Sequence, residues 1–251
     1  MRNDFETNNL REIDRLNQRG GRTLSFVDLI EACTLTAEMA GELTALVECG
    51  VSILTAARQS GTGKSTVLAG LLACLPPSEK IMMLEDKAAV DRAVAEKPKT
   101  RTCYVVNEIG EGPVPGYLWD AAAAKYISIA GQKLPKKRVA SCLHADEIEE
   151  VYTVFTGLGV DITGVRSIGI ILFIARRGRG RRVSCVYVAS EKGHVLRWRH
   201  DDSADAFTAL GDCPVPEERA AEFTELYRGL AARGINEFTQ VRAALVENLR
   251  P

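Results

Sequence analysis

The feature that most limits what this chain can fold into is the glycine-rich stretch ARQSGTGKST at residues 57–66. It directly follows a short apolar segment, VSILTA, and precedes an apolar segment typical of a helix, TVLAGLLAC, which Pro76-Pro77 ends. A strand, a glycine-rich loop and a helix in this order are the context in which the pattern G-x-x-x-x-G-K-[ST] indicates phosphate binding. The chain fits that pattern from Gly63 onward, but Arg58 stands where the pattern has its first glycine.

Each residue type in the loop has a chemical use in binding a nucleotide. Gly61 and Gly63 allow the backbone to curl so that its amides face phosphate oxygens. Lys64 supplies a charge for the β- and γ-phosphates, and Ser65 a hydroxyl for Mg²⁺. Arg58 costs stability only if the backbone there needs a positive φ. The predicted ligands are ATP and Mg²⁺, and the predicted binding residues are Arg58, Gln59, Ser60, Gly61, Thr62, Gly63, Lys64, Ser65 and Thr66.

Three further apolar segments each end in polar side chains. KIMMLED ends in Glu85 and Asp86, TCYVVNE in Glu108, and RVASCLH in His144. Open α/β sheets bind ligands at the carboxyl ends of their strands, so these side chains are expected near the loop. Glu108 has the position of the carboxylate that holds Mg²⁺ or polarises the attacking water, so Ser65 and Glu108 are the predicted metal ligands. Each strand end alone is a weak signal. Together with the loop that follows VSILTA, however, four strand ends in succession carry the expected residue types, which indicates one site.

Composition narrows the class of protein. The chain has 251 residues, 46% of them apolar, and a net charge of −1, which fits one α/β domain with appendages and gives no reason to expect a nucleic-acid partner. It has no apolar run of about 18 residues and no signal-peptide pattern, so a cytoplasmic protein is expected. Seven dispersed cysteines without a C-x-x-C pair predict free thiols.

The chain divides into three predicted segments: an N-terminal arm or linker at 1–24, a nucleotide-binding domain at 25–210 and a C-terminal helical extension at 211–251. Ser25 with Asp28 forms a predicted capping box, and Thr36 a predicted helix cap. The basic run at 176–182 joins two alternating apolar segments, which predicts a β-hairpin with a solvated tip.

These segments resemble, in order and spacing, the ATPases of type II and type IV secretion, pilus assembly and archaellum machines, above all their archaeal branch. The resemblance covers about residues 24–250. LPPSEKIMMLED resembles the stretch that ends in the family's acidic Asp box, YVVNEIGEG lies where its Walker B glutamate lies, and CLHADEIEEV is similar to its His box.

The resemblance implies a P-loop NTPase with a RecA-like core sheet, helices on both faces, and C-terminal hairpin strands and helices. It also implies a hexameric ring of identical subunits that hydrolyses ATP and works on a membrane-embedded platform protein, either in the cytoplasm or peripherally at the inner face of the membrane. Glu85 and Glu108 match the two candidates for activating water. His144 matches the residue that couples nucleotide state to subunit contacts, so all three are predicted catalytic residues.

The chain departs from the family pattern at Arg58 and at Gly110, where the family often has an arginine. The interval between Glu85 and Glu108 is shorter than in the family, and the resemblance implies a short form that lacks most of the N-terminal domain. Arginines of the arm are therefore predicted to serve a neighbour's ATP site. Arg22 is the first candidate and Arg11 the second, with Arg15 and Arg19 also available.

Two further function classes stay open from the residues. One is a nucleotide-binding regulatory or interaction subunit whose catalysis has faded, which the departures at Arg58 and Gly110 would fit. The other is a small-molecule kinase, which would need a lid segment that the sequence does not display. The presence of Glu85, Glu108 and His144 favours the ATP-hydrolysing motor.

Overall fold

Nine strands and ten helices make up the part of the chain that the computed structural model describes, namely residues 5–17, 20–110, 112–114, 116–132, 136–178 and 180–250. The helices are α1 (Phe5–Asp14), α2 (Phe26–Glu31), α3 (Ala37–Glu48), α4 (Lys64–Leu72), α5 (Lys87–Ala95), α6 (Asp120–Gly131), α7 (Ile148–Gly157), α8 (Ile162–Arg166), α9 (Glu217–Ala232) and α10 (Phe238–Asn248). The strands are β1 (Ile53–Ala56), β2 (Lys80–Met83), β3 (Thr102–Ile109), β4 (Tyr117–Leu118), β5 (Lys137–Leu143), β6 (Ile170–Arg177), β7 (Gly180–Ser190), β8 (Gly193–Asp201) and β9 (Ala206–Ala209).

The strands form one sheet with a parallel part and an antiparallel part. The order is β2-β3-β5-β1-β6-β7-β8-β9, and β4 pairs with β3 beyond the end of β2. Strands β1 to β6 pair in parallel, whereas β7, β8 and β9 add on as antiparallel strands. Because β5 lies between β1 and β3, the carboxyl ends of these three strands are neighbours at one edge of the sheet.

Helices cover both faces of the sheet. Successive side chains of a strand point to opposite faces, so each strand contributes to both layers. In β1, for example, Ile53 packs in one hydrophobic core and Leu54 in the other. The first core contains residues of α1 to α4, α9 and α10, and the second contains residues of α5 to α8. The predicted α/β fold, with helices on both faces and with C-terminal hairpin strands and helices, is confirmed.

The N-terminal segment, predicted to be an arm or linker at 1–24, packs against the rest of the chain where the structure describes it. Helix α1 lies against β2, and Ile13 and Leu16 are only 1% and 2% exposed in the first core. The apolar residues are too few for sequence periodicity to reveal a buried helix. The arm residues Arg2 and Arg19 lie outside the described part of the chain.

One buried asparagine joins α1 to the sheet edge. Asn9 donates from Nδ2 to the Glu79 carbonyl oxygen at 2.8 Å and accepts at Oδ1 from the Ile81 amide at 2.8 Å. An edge strand presents unpaired backbone groups, and here the amide side chain takes the place of a pairing strand. Sequence patterning assigns Asn9 to a solvated segment, but in the folded chain its side chain is buried and bonds to the backbone of the sheet edge.

Several local predictions are confirmed. Ser25 and Asp28 form the capping box of α2, and Thr36 caps α3 by accepting from the Met39 amide. Strands β6 and β7 form the predicted hairpin. All seven cysteines are free thiols. Among the described residues, no helix has both the length and the apolar character needed to cross a membrane.

The Asn9 contact can be tested through stability. Asn9→Ala leaves the Glu79 carbonyl and the Ile81 amide buried without partners, and unsatisfied buried groups cost about 1–3 kcal/mol each. We therefore expect the free energy of unfolding to fall by about 2 kcal/mol or more in urea denaturation. Asn8→Ala is the matched control, because Asn8 reaches the Ile81 carbonyl only at 3.5 Å. An equal loss for both variants would contradict the role of Asn9.

Candidate functional site

The loop between β1 and α4 has the curled backbone that its glycines predict. Gly61 and Gly63 have φ values of +78° and +103°, in the region that L-residues with side chains rarely adopt. Gly63 is the N-cap of α4, and no side chain caps that helix end. The first amides of α4 are thus available to an anion, and the helix dipole adds positive potential there.

Lys64 is folded back into the loop. Its side chain is 7% exposed, and Nζ lies 2.8 Å from Glu108 Oε1 and 3.3 Å from the Ala57 carbonyl oxygen. A buried ammonium needs a counter-charge, and Glu108 supplies it. The loop lysine and the carboxylate at the end of β3 therefore meet directly.

A β-bulge sets the position of Glu108. The register of β3 against β5 shifts between Val106, opposite Ser141, and Glu108, opposite Cys142, so Asn107 is the extra residue. Bulges re-aim side chains at the ends of strands. The Glu108 carboxylate is 17% exposed. Its Oε1 atom is buried and makes no well-aligned hydrogen bond, although Lys64 Nζ lies 2.8 Å and His144 Nε2 2.9 Å from it.

His144 links the beginning of the loop to Glu108. Its Nδ1 atom lies 2.7 Å from the Arg58 carbonyl oxygen, which can only accept, so Nδ1 carries a hydrogen and donates. Its Nε2 atom lies 2.9 Å from Glu108 Oε1 and 3.1 Å from the Tyr117 hydroxyl. The imidazole therefore contacts both the Glu108 carboxylate and the loop backbone, so a movement of Glu108 can displace the ring and, with it, the backbone at Arg58.

Tyr117, on β4, was not found by the sequence analysis. Its ring stacks on the His144 ring at a centroid distance of 5.8 Å. Burial first, and then the neighbouring Glu108 carboxylate, raise the pKa of Tyr117 to about 12, so the phenol stays protonated. The same ring explains Gly110, because a Cβ there would lie 2.6 Å from Tyr117 Cδ2. Strand β4 has only two residues, which is too short for a sequence pattern.

Arg58 does not disturb the loop. Among the described residues other than glycine, positive φ occurs only at Cys33, Asp120 and Asp205, so position 58 does not require glycine. The guanidinium points outward and pairs with Glu150, and Nε lies 3.6 Å from Asp146 Oδ2. The departure from the loop pattern is therefore accommodated without backbone strain.

Glu85 is not brought together with Lys64 and Glu108. Its side chain is 67% exposed and pairs with Arg15 of the N-terminal segment. Asp86, next to it, serves as the N-cap of α5. The catalytic role predicted for Glu85 stays a prediction. Its side chain lies apart from Glu108 and His144, the other two predicted catalytic residues.

A cavity of about 360 Å³ opens over the loop. Its walls come from four places: the loop with the start of α4, the strand ends of β3 and β4, the N-terminal segment, and the start of β7. The lining residues are Leu16, Asn17, Gly20, Arg22, Thr23, Leu24, Ser60, Gly61, Gly63, Lys64, Ser65, Thr66, Ala69, Glu108, Tyr117 and Arg181. Another hollow, of about 450 Å³, lies beside α6 and α8, and no basic side chain lines it among the residues that the structure describes, so the loop cavity is the candidate anion site.

The arginines predicted to reach a neighbouring subunit make contacts within their own chain. Arg22 Nη1 donates to Asp28 Oδ2 at 2.9 Å, and Arg15 pairs with Glu12 and Glu85. Arg11 donates to Asn8 Oδ1 at 2.7 Å. Only Arg22 of these three lines the cavity, and it does so in its own subunit. A role across subunits stays a prediction.

The basic hairpin is not simply a solvated tip. Arg182 Nε donates to Asp205 Oδ1 at 2.9 Å, and Arg181 reaches the loop, with Nη2 3.1 Å from the Gly61 carbonyl oxygen. Arg179 lies outside the described residues. The solvated-tip prediction is therefore wrong for Arg182, whose side chain is only 14% exposed, whereas Arg181 is exposed and also contacts the loop.

Comparison with known proteins gives limited similarity. No protein-family model matches the chain, and no curated protein matches it. Among solved structures, the chain is similar to the VirB11 ATPase from the Brucella suis type IV secretion system in complex with sulphate, at 14% identity and a TM-score of 0.42, covering 71% of this chain and 55% of that one. It is also similar to the Legionella pneumophila ATPase DotB, at 17% identity and a TM-score of 0.37, covering 88% and 59%. The chain spans a little over half of the length of these two proteins.

Replacing Arg58 by the glycine of the loop pattern tests whether the arginine impairs nucleotide binding. Because the backbone at Arg58 does not have positive φ and its side chain points away from the cavity, Arg58→Gly should leave the affinity for Mg-ATP within about twofold of wild type. Gly63→Ala should weaken it strongly, since a Cβ there meets Arg181 Cδ at 3.1 Å on a backbone with φ of +103°. Calorimetric titration measures both, and a large gain for Arg58→Gly would show that the arginine impairs the loop.

Proposed function

We propose that this chain binds a nucleoside triphosphate with Mg²⁺ at the loop of residues 58–66 and hydrolyses its terminal phosphoanhydride bond. The observation that supports this best is the meeting of Lys64, Ser65 and Glu108 in one cavity, over a curled glycine loop and an uncapped helix N-terminus. Backbone amides, an ammonium and the helix dipole together suit a polyphosphate. A lone surface anion site would have no need of the carboxylate.

The Lys64–Glu108 contact indicates how the site would respond to a nucleotide. The two side chains neutralise each other at 2.8 Å. A terminal phosphate offers Lys64 a stronger partner, and the loss of the lysine frees the Glu108 carboxylate. The Ser65 hydroxyl and the Glu108 carboxylate are hard oxygen donors, which fit Mg²⁺; when bound, the ion would offset the negative charge of the phosphates.

In the proposed hydrolysis Glu108 orients the water, with His144 beside it. The water oxygen forms a bond to the terminal phosphorus, the bond from that phosphorus to the bridging oxygen breaks, and the products are the diphosphate, phosphate and a proton. The Glu108 carboxylate accepts a hydrogen bond from the attacking water and is the first acceptor for its proton. His144 touches the same carboxylate at 2.9 Å and the loop backbone at 2.7 Å, so it is placed to relay the change between them.

We further propose that hydrolysis drives a secretion-type or pilus-type machine, as a ring of identical subunits working on a membrane-embedded partner. This wider role rests on the ordered sequence segments that resemble those ATPases. A nucleotide-binding regulatory subunit without turnover is the outcome that would replace it.

Two glutamates separate the catalytic predictions. Glu108→Gln should keep nucleotide affinity near wild type and cut steady-state ATP turnover by a factor on the order of a hundred or more, because an amide is a poor proton acceptor. Glu85→Gln should reduce turnover by a much smaller factor, since Glu85 lies outside the cavity lining. Phosphate release measures turnover, and Lys64→Ala serves as the binding-deficient reference.

The reverse order of the two losses would move the catalytic carboxylate to Glu85 and contradict the role given to Glu108. Wild-type protein that binds Mg-ATP but shows no turnover, alone or with membrane-partner preparations, would support the regulatory subunit instead.

Ring formation is tested by mass and by concentration dependence. A nucleotide that binds at a shared interface stabilises the assembled state by mass action, so we expect ATP to shift the protein toward a larger assembly in light scattering. Turnover per subunit should rise with protein concentration over the same range. A protein that remains monomeric at tens of micromolar with saturating ATP, and hydrolyses at a constant specific rate, would contradict the ring.

A further inference from the structure

Arg181, at the start of β7, lies against the phosphate-binding loop. Its Nη2 and Nε atoms are 3.1 Å and 3.4 Å from the Gly61 carbonyl oxygen. Its stem covers Gly63 so closely that a Cβ there would meet Arg181 Cδ at 3.1 Å. The side chain also lines the cavity that contains Lys64 and Glu108. A guanidinium from a remote hairpin is therefore part of the wall of the candidate site.

The charge of Arg181 is not neutralised in the way that its neighbours' charges are. Arg177 pairs with Asp202, and Arg182 with Asp205. Within the described ranges, no carboxylate lies within ion-pair distance of Arg181. A guanidinium has five N–H donors in a rigid fork, and the Gly61 carbonyl oxygen takes two of them. The remaining donors and the free charge suit a phosphate oxygen.

The sheet order places Arg181 and Glu108 on opposite sides of the strand that leads into the loop. Strand β1, which leads into the loop, has β5 on one side and β6 on the other. Glu108 and His144, which mark the end of the site for the terminal phosphate, lie on the β5 side. Arg181 approaches from the β6 side, on the hairpin formed with β7. A nucleotide with its terminal phosphate at Lys64 and Glu108 would therefore present a phosphate nearer its nucleoside to Arg181.

We propose that Arg181 is a direct ligand, from the same chain, of the nucleotide phosphate nearest the nucleoside. This inference rests on the proposed function and adds to it a cation from the β6–β7 hairpin of the same chain. Because that phosphate is common to ATP, ADP and AMP, the side chain holds substrate and product alike. Arg181 therefore contributes to affinity for all three nucleotides rather than to discrimination between them.

The test uses the full-length chain with two variants of Arg181 and a matched control. Arg181→Ala removes the guanidinium, and Arg181→Gln removes the charge while keeping a stem, in case the first variant folds poorly. Arg177→Ala is the control, because it removes an exposed arginine of the same hairpin that is already paired with Asp202. Affinities for Mg-ATP and Mg-ADP come from calorimetry, and that for AMP from displacement of labelled ADP. Thermal unfolding checks each fold.

We expect both Arg181 variants to lower the affinities for ATP, ADP and AMP by a similar factor, roughly tenfold or more. The reason is that charge-assisted hydrogen bonds are stronger than hydrogen bonds between neutral groups. Arg177→Ala should bind all three as wild type does. A loss confined to ATP would put Arg181 at the terminal phosphate and overturn the proposal. A loss for ATP and ADP without a loss for AMP would put the effect of Arg181 at the middle phosphate, which also overturns the proposal.

Arg181 variants that bind every nucleotide as tightly as wild type would overturn the inference and leave nucleotide binding intact. Wild-type protein that binds no nucleotide would overturn the proposed function and this inference with it.

Discussion

The alignment of three parallel strands is the constraint on which the rest of the site depends. Because β5 lies between β1 and β3, the loop that follows β1, His144 after β5 and Glu108 in β3 end at one edge of the sheet. The bulge at Asn107 then turns the Glu108 carboxylate toward the loop. The two hydrophobic cores, one on each face, hold these strands in place.

In this arrangement Lys64 and Glu108 each meet the electrostatic need of the other. A buried ammonium or carboxylate alone is costly, whereas the pair at 2.8 Å is compensated. The pair is also incomplete, since Glu108 Oε1 has no well-aligned hydrogen bond. A site whose internal contact is satisfied in charge but poor in geometry is readily opened by a ligand that offers better partners to both groups. In this respect the pair differs from Arg138 with Glu79, which is buried and well bonded.

Both departures from the family pattern that the sequence displays have a physical explanation in the fold. Arg58 occupies a backbone position that does not need glycine, and its side chain pairs with acidic groups of the α7 region outside the cavity. Gly110 leaves room for the Tyr117 ring, which stacks on His144. Neither residue leaves a gap or a strained backbone at the loop. The departures therefore do not by themselves indicate that the site has lost its chemistry.

The sequence by itself determined the features that depend on neighbours along the chain. The loop glycines with positive φ, the strand–loop–helix order, the caps at Ser25 and Thr36, and the carboxylate Glu108 at a strand end all follow from local conformational preference. Tertiary structure alone decided which side chains meet. Strand pairing places Tyr117 beside His144, and the reach of a hairpin side chain brings Arg181 to the loop. Buried contacts of Asn9 dock the N-terminal helix, while Glu85 lies outside the cavity, because pairing and reach depend on contacts between residues far apart in the chain.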